Sequence, residues 1–469
     1  MIPYFSKYFT SKAIAAYIIV LTICSLLFIA HVLPLLWVLF GLADVLFFFY
    51  FSNRLSLHWN KYSPAVFRKK LFRTALVIRI IYVVAIYFFY IRMTGMPFEF
   101  EAGDSAGYHV EGAMVVDWIN AGNFGKYFTE YRKGVSDMGF PLWLSVIYLF
   151  SFKSIIVARF VNALVGAWTC VLIYKIARRN FGEDTARISG VFAMLLPSFI
   201  YYCGLHTKET VMVFILVAFI ERSDYLVRMR TFKFWTVLTV IFLGIALFFF
   251  RTVLAVAAWF SLFSALLFSS NRVIGPGRRA VYATWFIIAA LVVFSGRILN
   301  EVEGYTNTGS SNQEQKISFI STREGANKLA RYGKTAVFAP LMLMAPFPTL
   351  VNVESQQNAM MTNGALFTRN IFVFFVIIAL IILYRQKLVT GHILIIVMLL
   401  SYLVVLAASG YALSPRFHMP ALPFLIILAG YGVAKVNKSY LKFYVPYLVL
   451  IVMIIIFWNW FKLAGRGMI

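Results

Sequence analysis

Apolar runs of about 18 to 22 residues, separated by short charged breaks, recur along almost the whole chain. A helix rises about 1.5 Å per residue, so such runs match a hydrocarbon core roughly 30 Å thick. The pattern predicts spans at about 13–31, 33–52, 74–93, 154–177, 185–203, 209–222, 234–250, 253–270, 280–297, 369–385, 390–409, 417–435 and 442–461. Two breaks are far longer than turns, at about 94–153 and 298–368. Within the first, residues 138–152 are apolar and aromatic but short, which predicts a segment lying along the interface. Within the second, Pro340, Pro346 and Pro348 interrupt the apolar stretch from Ala336 to Val351, which predicts short helices on the membrane and a lid.

The basic residues orient these spans. Arg54, Lys61, Arg68, Lys69, Lys70 and Arg73 crowd one connection. Lys175, Arg178, Arg179 and Arg187 mark a second, Arg222, Arg228, Arg230 and Lys233 a third, and Arg272, Arg278 and Arg279 a fourth. Arg385 with Lys387, then Lys435, Lys438 and Lys442, complete the set. All face the cytoplasm together if residues 138–152 do not cross. This gives thirteen crossings, the N-terminus inside, and both long breaks on the outer face.

Composition agrees. With 61% hydrophobic and only 13% charged residues, a water-soluble domain of this length would lack a polar surface. The fold class expected is an all-α polytopic membrane protein. Its net charge of +25 needs no nucleic acid, because cytoplasmic loops and anionic headgroups account for it. Cys24, Cys170 and Cys203 sit in apolar stretches without a pairing pattern and read as small buried residues. The first apolar run reads as a retained signal anchor. Residues 1–73 form an N-terminal hairpin and basic loop, 74–297 a core containing the outer loop 94–153, 298–368 a second outer loop, and 369–469 the C-terminal helices.

Carboxylates are scarce, 18 Asp and Glu against 43 Lys and Arg, yet they gather after the third span in Glu99-Phe-Glu-Ala-Gly-Asp104-Ser-Ala-Gly-Tyr108-His109. Asp104, Tyr108 and Glu111 share a face on a helix. Asp104 is either an N-cap or a general base at the membrane surface, where partial desolvation suits proton transfer. A second group, His206-Thr-Lys208-Glu209, lies between two spans on the same side. It is either a solvated turn in which Lys208 and Glu209 pair or part of a site. Arg251 and Arg416 stand at outer span ends, and Arg159 near the same interface. Each either snorkels or meets an anion such as a lipid phosphate. Arg79, inside a span, is the one feature favouring a transporter, whose polar groups sit near the midplane.

Taken together, these features resemble the polytopic glycosyltransferases with the GT-C fold. The similarity is to the lipid-phosphate-sugar-dependent branch that includes protein O-mannosyltransferases and the aminoarabinose transferases of lipid A. Asp104 with Tyr108 resembles the acidic motif of the first outer loop, and Phe140-Pro141-Leu142-Trp143 its proline-aromatic stretch. Arg159, Asn162 and Gly166 match an Arg-x-x-Asn-x-x-x-Gly span start. The Phe181-Gly182 turn, the Leu-Pro-Ser-Phe-Ile-Tyr-Tyr stretch ending at Lys208-Glu209, and Arg416 followed by Pro420 and Pro423 are also similar. One departure is Ser105, where the family motif often carries a second acid.

The resemblance implies inverting transfer of a sugar from a polyprenyl-phosphate donor to a glycan, lipid or protein acceptor at the outer face of the cytoplasmic membrane. Asp104 would be the base and Glu209 would orient sugar or acceptor. Tyr108, His109, Glu111, Arg159, His206, Lys208, Arg251 and Arg416 would bind substrate, the two late arginines taking the phosphate. No cofactor is required on this reading. A divalent metal has only His206 and Glu209 as candidate ligands. The alternatives are a polysaccharide polymerase or ligase using a lipid diphosphate, and a lipid or glycan flippase.

Overall fold

The computed structural model describes residues 4–130, 135–229, 233–269, 340–409 and 413–468, with isolated positions between 275 and 284. The described residues are helical, without strands beyond an isolated bridge between Val32 and Val351. The helices are α1 (Lys7–Leu27), α2 (Leu35–His58), α3 (Pro64–Thr94), α4 (Gly103–Asn120), α5 (Lys126–Glu130), α6 (Gly139–Ser151), α7 (Ile155–Phe181), α8 (Glu183–Leu195) and α9 (Pro197–Gly204). They continue as α10 (Glu209–Arg228), α11 (Phe234–Phe250), α12 (Thr252–Phe268), α13 (Gln357–Met361), α14 (Asn363–Arg385), α15 (Ile393–Ala408), α16 (Leu422–Lys435), α17 (Lys438–Leu441) and α18 (Tyr444–Ala464).

Seven of the described helices are long and apolar enough to cross a membrane, or eight if the bent pair α8 and α9 counts as one span. The expected thirteen is not reached by that measure. The helices α11, α12 and α15 are shorter, and α10 carries Glu221, Arg222, Asp224 and Arg228 in its last turns. The expected span at 280–297, apart from positions 280, 281 and 284, and the loop residues 298–339 lie outside the described residues. Helix α6 has 13 residues. It is about 20 Å long, well short of a hydrocarbon core.

Local chemistry sets the boundaries. The Ser63 hydroxyl accepts from the Val66 amide and Pro64 occupies the first turn of α3, while Gly95, at φ 76°, ends it in a left-handed cap. Pro197 cannot continue α8, so the chain bends by 43° into α9. Between helices the backbones approach closely, because packing rather than water exclusion holds helices together in lipid. A Cβ on Gly432 of α16 would lie 2.0 Å from the Phe375 carbonyl of α14. One on Gly166 of α7 would lie 2.5 Å from Cys203 Sγ.

Arg79 is fully buried, and the structure gives it a structural reading. Its guanidinium donates to the Ala75, Ala193 and Met194 carbonyls at 3.2, 3.2 and 3.3 Å, and to Cys170 Sγ at 3.4 Å. Two of those carbonyls belong to the last turn of α8, which the proline break deprives of helical partners. Arg79 therefore caps a broken helix.

The apolar stretch of the second long loop also departs from expectation. Its described part is a short helical turn followed by extended chain, with Ala345, Phe347, Leu350 and Val351 buried. The segment threads between helices instead of lying on the surface. Asn459 of α18 accepts from the Leu350 amide at 2.7 Å, and the Asn352 amide donates to the His31 carbonyl at 2.9 Å.

Candidate active site

Four chain breaks meet at one end of the bundle, and each delivers a charged side chain. Gly103 folds back to bond the Glu101 carbonyl at 3.0 Å, and α4 starts there with Asp104 in its first turn. Ala102 holds the cap position, and Asp104 makes no capping bond. The loop after α9 presents His206 and Lys208, and Glu209 opens α10. Arg251 is the extended residue between α11 and α12. Arg416 lies in the 3-10 turn Pro415–Ala421 ahead of α16.

These residues form a chain of alternating charge. The Arg416 guanidinium donates to Asp104 through Nη1 and to Glu209 through Nε. Arg251 Nη2 stands 3.8 Å from the same Glu209 oxygen. The Arg251 guanidinium lies 4.3 Å over the Phe417 ring, and its Nη1 is 3.5 Å from the Tyr402 hydroxyl, which donates to the Phe417 carbonyl at 2.9 Å. The two carboxylates differ in access: the Glu209 side chain is 0% exposed and that of Asp104 62%.

Beside this chain, Lys208 pairs with Asp137, not with Glu209, and Tyr108 donates to the same Asp137 oxygen at 3.3 Å. Burial works to raise the Asp137 carboxyl, but Lys208 overcomes it and holds Asp137 below the usual carboxylate range. A third group stands behind. His109 Nδ1 is 2.7 Å from the Tyr148 hydroxyl, which is 3.0 Å from His206 Nε2. Burial, with Arg159 nearby, drives the His206 pKa well down, so its ring is neutral at physiological pH. Arg159 donates to the Pro97 carbonyl and lies 5.8 Å over the Tyr87 ring. Glu111 lies further along α4, near Tyr127, whose ionisation it opposes.

Ser105, the departure from the family motif, donates to the Glu99 carboxylate, which burial pushes upward in pKa. A second acid thus stands beside the Asp104 turn, supplied from five residues earlier. Glu99, Asp137, Tyr148 and Tyr402 join the site without being among the candidate residues that the sequence singles out. Asp137 carried a signal, being the last acid before the proline-aromatic stretch.

Several buried polar atoms here have no hydrogen-bond partner among the described residues: Glu99 Oε2, Arg159 Nε and Nη1, both amide atoms of Asn162, His206 Nδ1 and Glu209 Oε2. Unmet buried groups of this kind cost about 1–3 kcal/mol each, and a polar ligand would satisfy them. Among the described residues no three His, Cys, Asp or Glu side chains converge as metal ligands would. The arrangement offers an exposed carboxylate to a proton and guanidinium groups to an oxyanion.

The family model described as dolichyl-phosphate-mannose-protein mannosyltransferase matches residues 139–298. That segment runs from α6 past α12 and includes Arg159, His206, Lys208, Glu209 and Arg251, while Asp104 and Arg416 lie outside it. No curated protein and no solved structure matches the chain. The family match supports a GT-C-like glycosyltransferase built as an all-α polytopic membrane protein.

Proposed function

We propose that this protein moves a sugar from a polyprenyl-phosphate donor to a hydroxyl of a glycan, lipid or protein acceptor, with inversion, at the outer face of the cytoplasmic membrane. The observation that carries this reading is Arg416 shared between exposed Asp104 and buried Glu209, with Arg251 on the far side of Glu209. Glu209 is enclosed by guanidinium groups, so it positions them. Asp104 faces solvent and can reach an acceptor.

The acceptor oxygen forms a bond to the anomeric carbon as the bond from that carbon to the phosphate oxygen breaks. The hydroxyl proton passes to Asp104, and the electron pair leaves on the lipid phosphate. Arg416 and Arg251 stabilise the charge that develops there. A guanidinium paired to Asp104 weakens it as a base. A donor phosphate arriving at Arg416 competes for that guanidinium and releases the carboxylate when substrate is present. The donor thereby arms the base.

The test is transfer by the purified protein in liposomes, with defined polyprenyl-monophosphate and polyprenyl-diphosphate sugars competing. Monophosphate donors should be consumed and the product anomer inverted. Asp104→Asn should lower turnover by about 10³-fold or more, within the range expected for losing a positioned base. Wild-type turnover in Asp104→Asn, or exclusive use of diphosphate donors, would refute the reading.

A further inference from the structure

We infer that Arg369 is a positioning residue, which sets the place of Arg416 by clasping His418, two residues further along the same turn. The inference rests on the transfer reaction proposed above, in which Arg416 stabilises the charge that develops on the leaving group.

The turn Pro415–Ala421 is weakly held by its own backbone. Pro415 and Pro420 carry no amide hydrogen, so two of its seven residues donate nothing. Its bonds are of the 3-10 kind, whose geometry is poorer than that of an α-helix. Side chains from other helices hold it. From α15, the Tyr402 hydroxyl donates to the Phe417 carbonyl at 2.9 Å. From α14, Arg369 Nη2 donates to His418 Nδ1 at 2.8 Å. Arg416 stands directly before both anchored residues, and it carries the bonds to Asp104 and Glu209.

Arg369 and His418 are both buried, at 2% and 1% exposed, and they line a narrow cleft together with Tyr201, Tyr202 and Pro415. The same Nη2 also donates to the Met342 carbonyl at 3.1 Å, in the short helical turn of the second outer loop. A terminal guanidinium nitrogen carries two hydrogens, so one nitrogen serves both acceptors. A guanidinium only donates, so His418 accepts on Nδ1 and its ring proton sits on Nε2. As a stabilising element Arg369 is poor. Its Nε and Nη1 are buried without a partner, and no carboxylate pairs with it, among the described residues. A buried cation without a counter-charge is costly. What Arg369 supplies is the place of the His418 ring, and through it the start of the turn that carries Arg416.

The experiment combines transfer kinetics in liposomes with hydrogen exchange on the full chain. His418→Phe keeps a flat ring and removes the acceptor. It should lower kcat about tenfold, less than the roughly 10²-fold that a 1 Å misplacement can cost. Arg369→Gln should match it, and either variant suffices should the other fail to fold. His418→Asn, whose side-chain oxygen can stand near the Nδ1 position, should recover most of the loss. In an Arg416→Gln background, His418→Phe should cost nothing further, because its effect passes through Arg416. Losses that multiply in that double variant, or wild-type kcat in folded His418→Phe, overturn the positioning role. Amide exchange across 415–421 should quicken about tenfold in His418→Phe and Arg369→Gln, and unchanged exchange overturns the clasp itself. If the wild-type protein transfers no sugar, the reaction falls, and exchange still decides whether Arg369 holds the turn.

Discussion

The two ends of the bundle both carry arginine–carboxylate networks, and they are satisfied to different degrees. At the end rich in basic connections, Arg187 donates to the Trp59, Asn60 and Tyr62 carbonyls at 2.9, 2.8 and 2.7 Å and to Glu183 at 2.8 Å. Arg179 takes the Glu221 carbonyl and both Glu221 and Asp224 carboxylates within 2.9 Å. Arg228 joins Asp224, Asn180 and the Gly391 carbonyl. Glu221 Oε2, which makes no hydrogen bond, still has Arg222 Nε at 3.3 Å; Arg68 Nε and Ser223 Oγ are further buried atoms there without a partner among the described residues. At the Asp104 end, Glu209, Arg159, Asn162, His206 and Arg369 all keep buried atoms without partners among the described residues. The same residue types make a staple where the guanidinium donors of Arg179, Arg187 and Arg228 meet several acceptors each, and a receptive surface where more buried donors are left over.

This contrast predicts different failures. Arg416→Gln removes the bridge between Asp104 and Glu209, and turnover should fall roughly 10² to 10³-fold, as for loss of one donor to a developing oxyanion. Its thermal stability should fall by less than a fully stranded carboxylate would cost, because Asp104 is largely exposed and buried Glu209 keeps Arg251 at 3.8 Å and can accept from the new amide. Arg179→Ala leaves the buried Glu221 and Asp224 carboxylates, 5% and 3% exposed, with only Arg222 at 3.3 Å and Arg228 at 2.8 Å, and losing its charged hydrogen bonds should cost about 3 kcal/mol of stability. The folded fraction of that variant should turn over at the wild-type rate. Measured in parallel by thermal unfolding and transfer assay, an inverted pattern would erase the distinction between the two ends.

Much of this was legible in the chain. Apolar run length marks membrane helices because lipid leaves the backbone no other partner than itself. The residues Asp104, Glu209, Arg251 and Arg416 were visible as charges at the ends of apolar runs, since a charge there demands an explanation. What could not be read was pairing across long sequence distances. Lys208 next to Glu209 suggests a local pair, but the start of α10 turns Lys208 toward Asp137, 71 positions back. Arg369 stood at the edge of a predicted span and could be taken for a flank; only the position of α14 shows it buried inside a cleft. The apolar segment around Val351 looked interfacial because prolines break it, and hydrophobicity alone does not tell lipid from protein as the covering.

The smallest effect tests how Lys208 shares the site with Asp137. In the native protein Lys208 holds the Asp137 carboxyl down against burial, with Arg251 and the Tyr108 hydroxyl as lesser aids. A carboxylate depressed in the folded state stabilises it above the unfolded pKa, near 3.9, and loses that contribution as pH falls through the lower folded value. Lys208→Met removes the chief opposition, so burial should raise the Asp137 carboxyl. The variant then carries a poorly compensated charge at neutral pH, and protonation at lower pH relieves it. The Asp137 side chain is 42% exposed, so solvent screens the deficit to about 1 kcal/mol at pH 7. Unfolding curves at pH 7 and pH 4.5 should show the gap to wild type narrowing toward acid. A gap that stays constant across that range would mean that Lys208 contributes packing alone, and that the Asp104 end holds fewer working charges than its geometry displays.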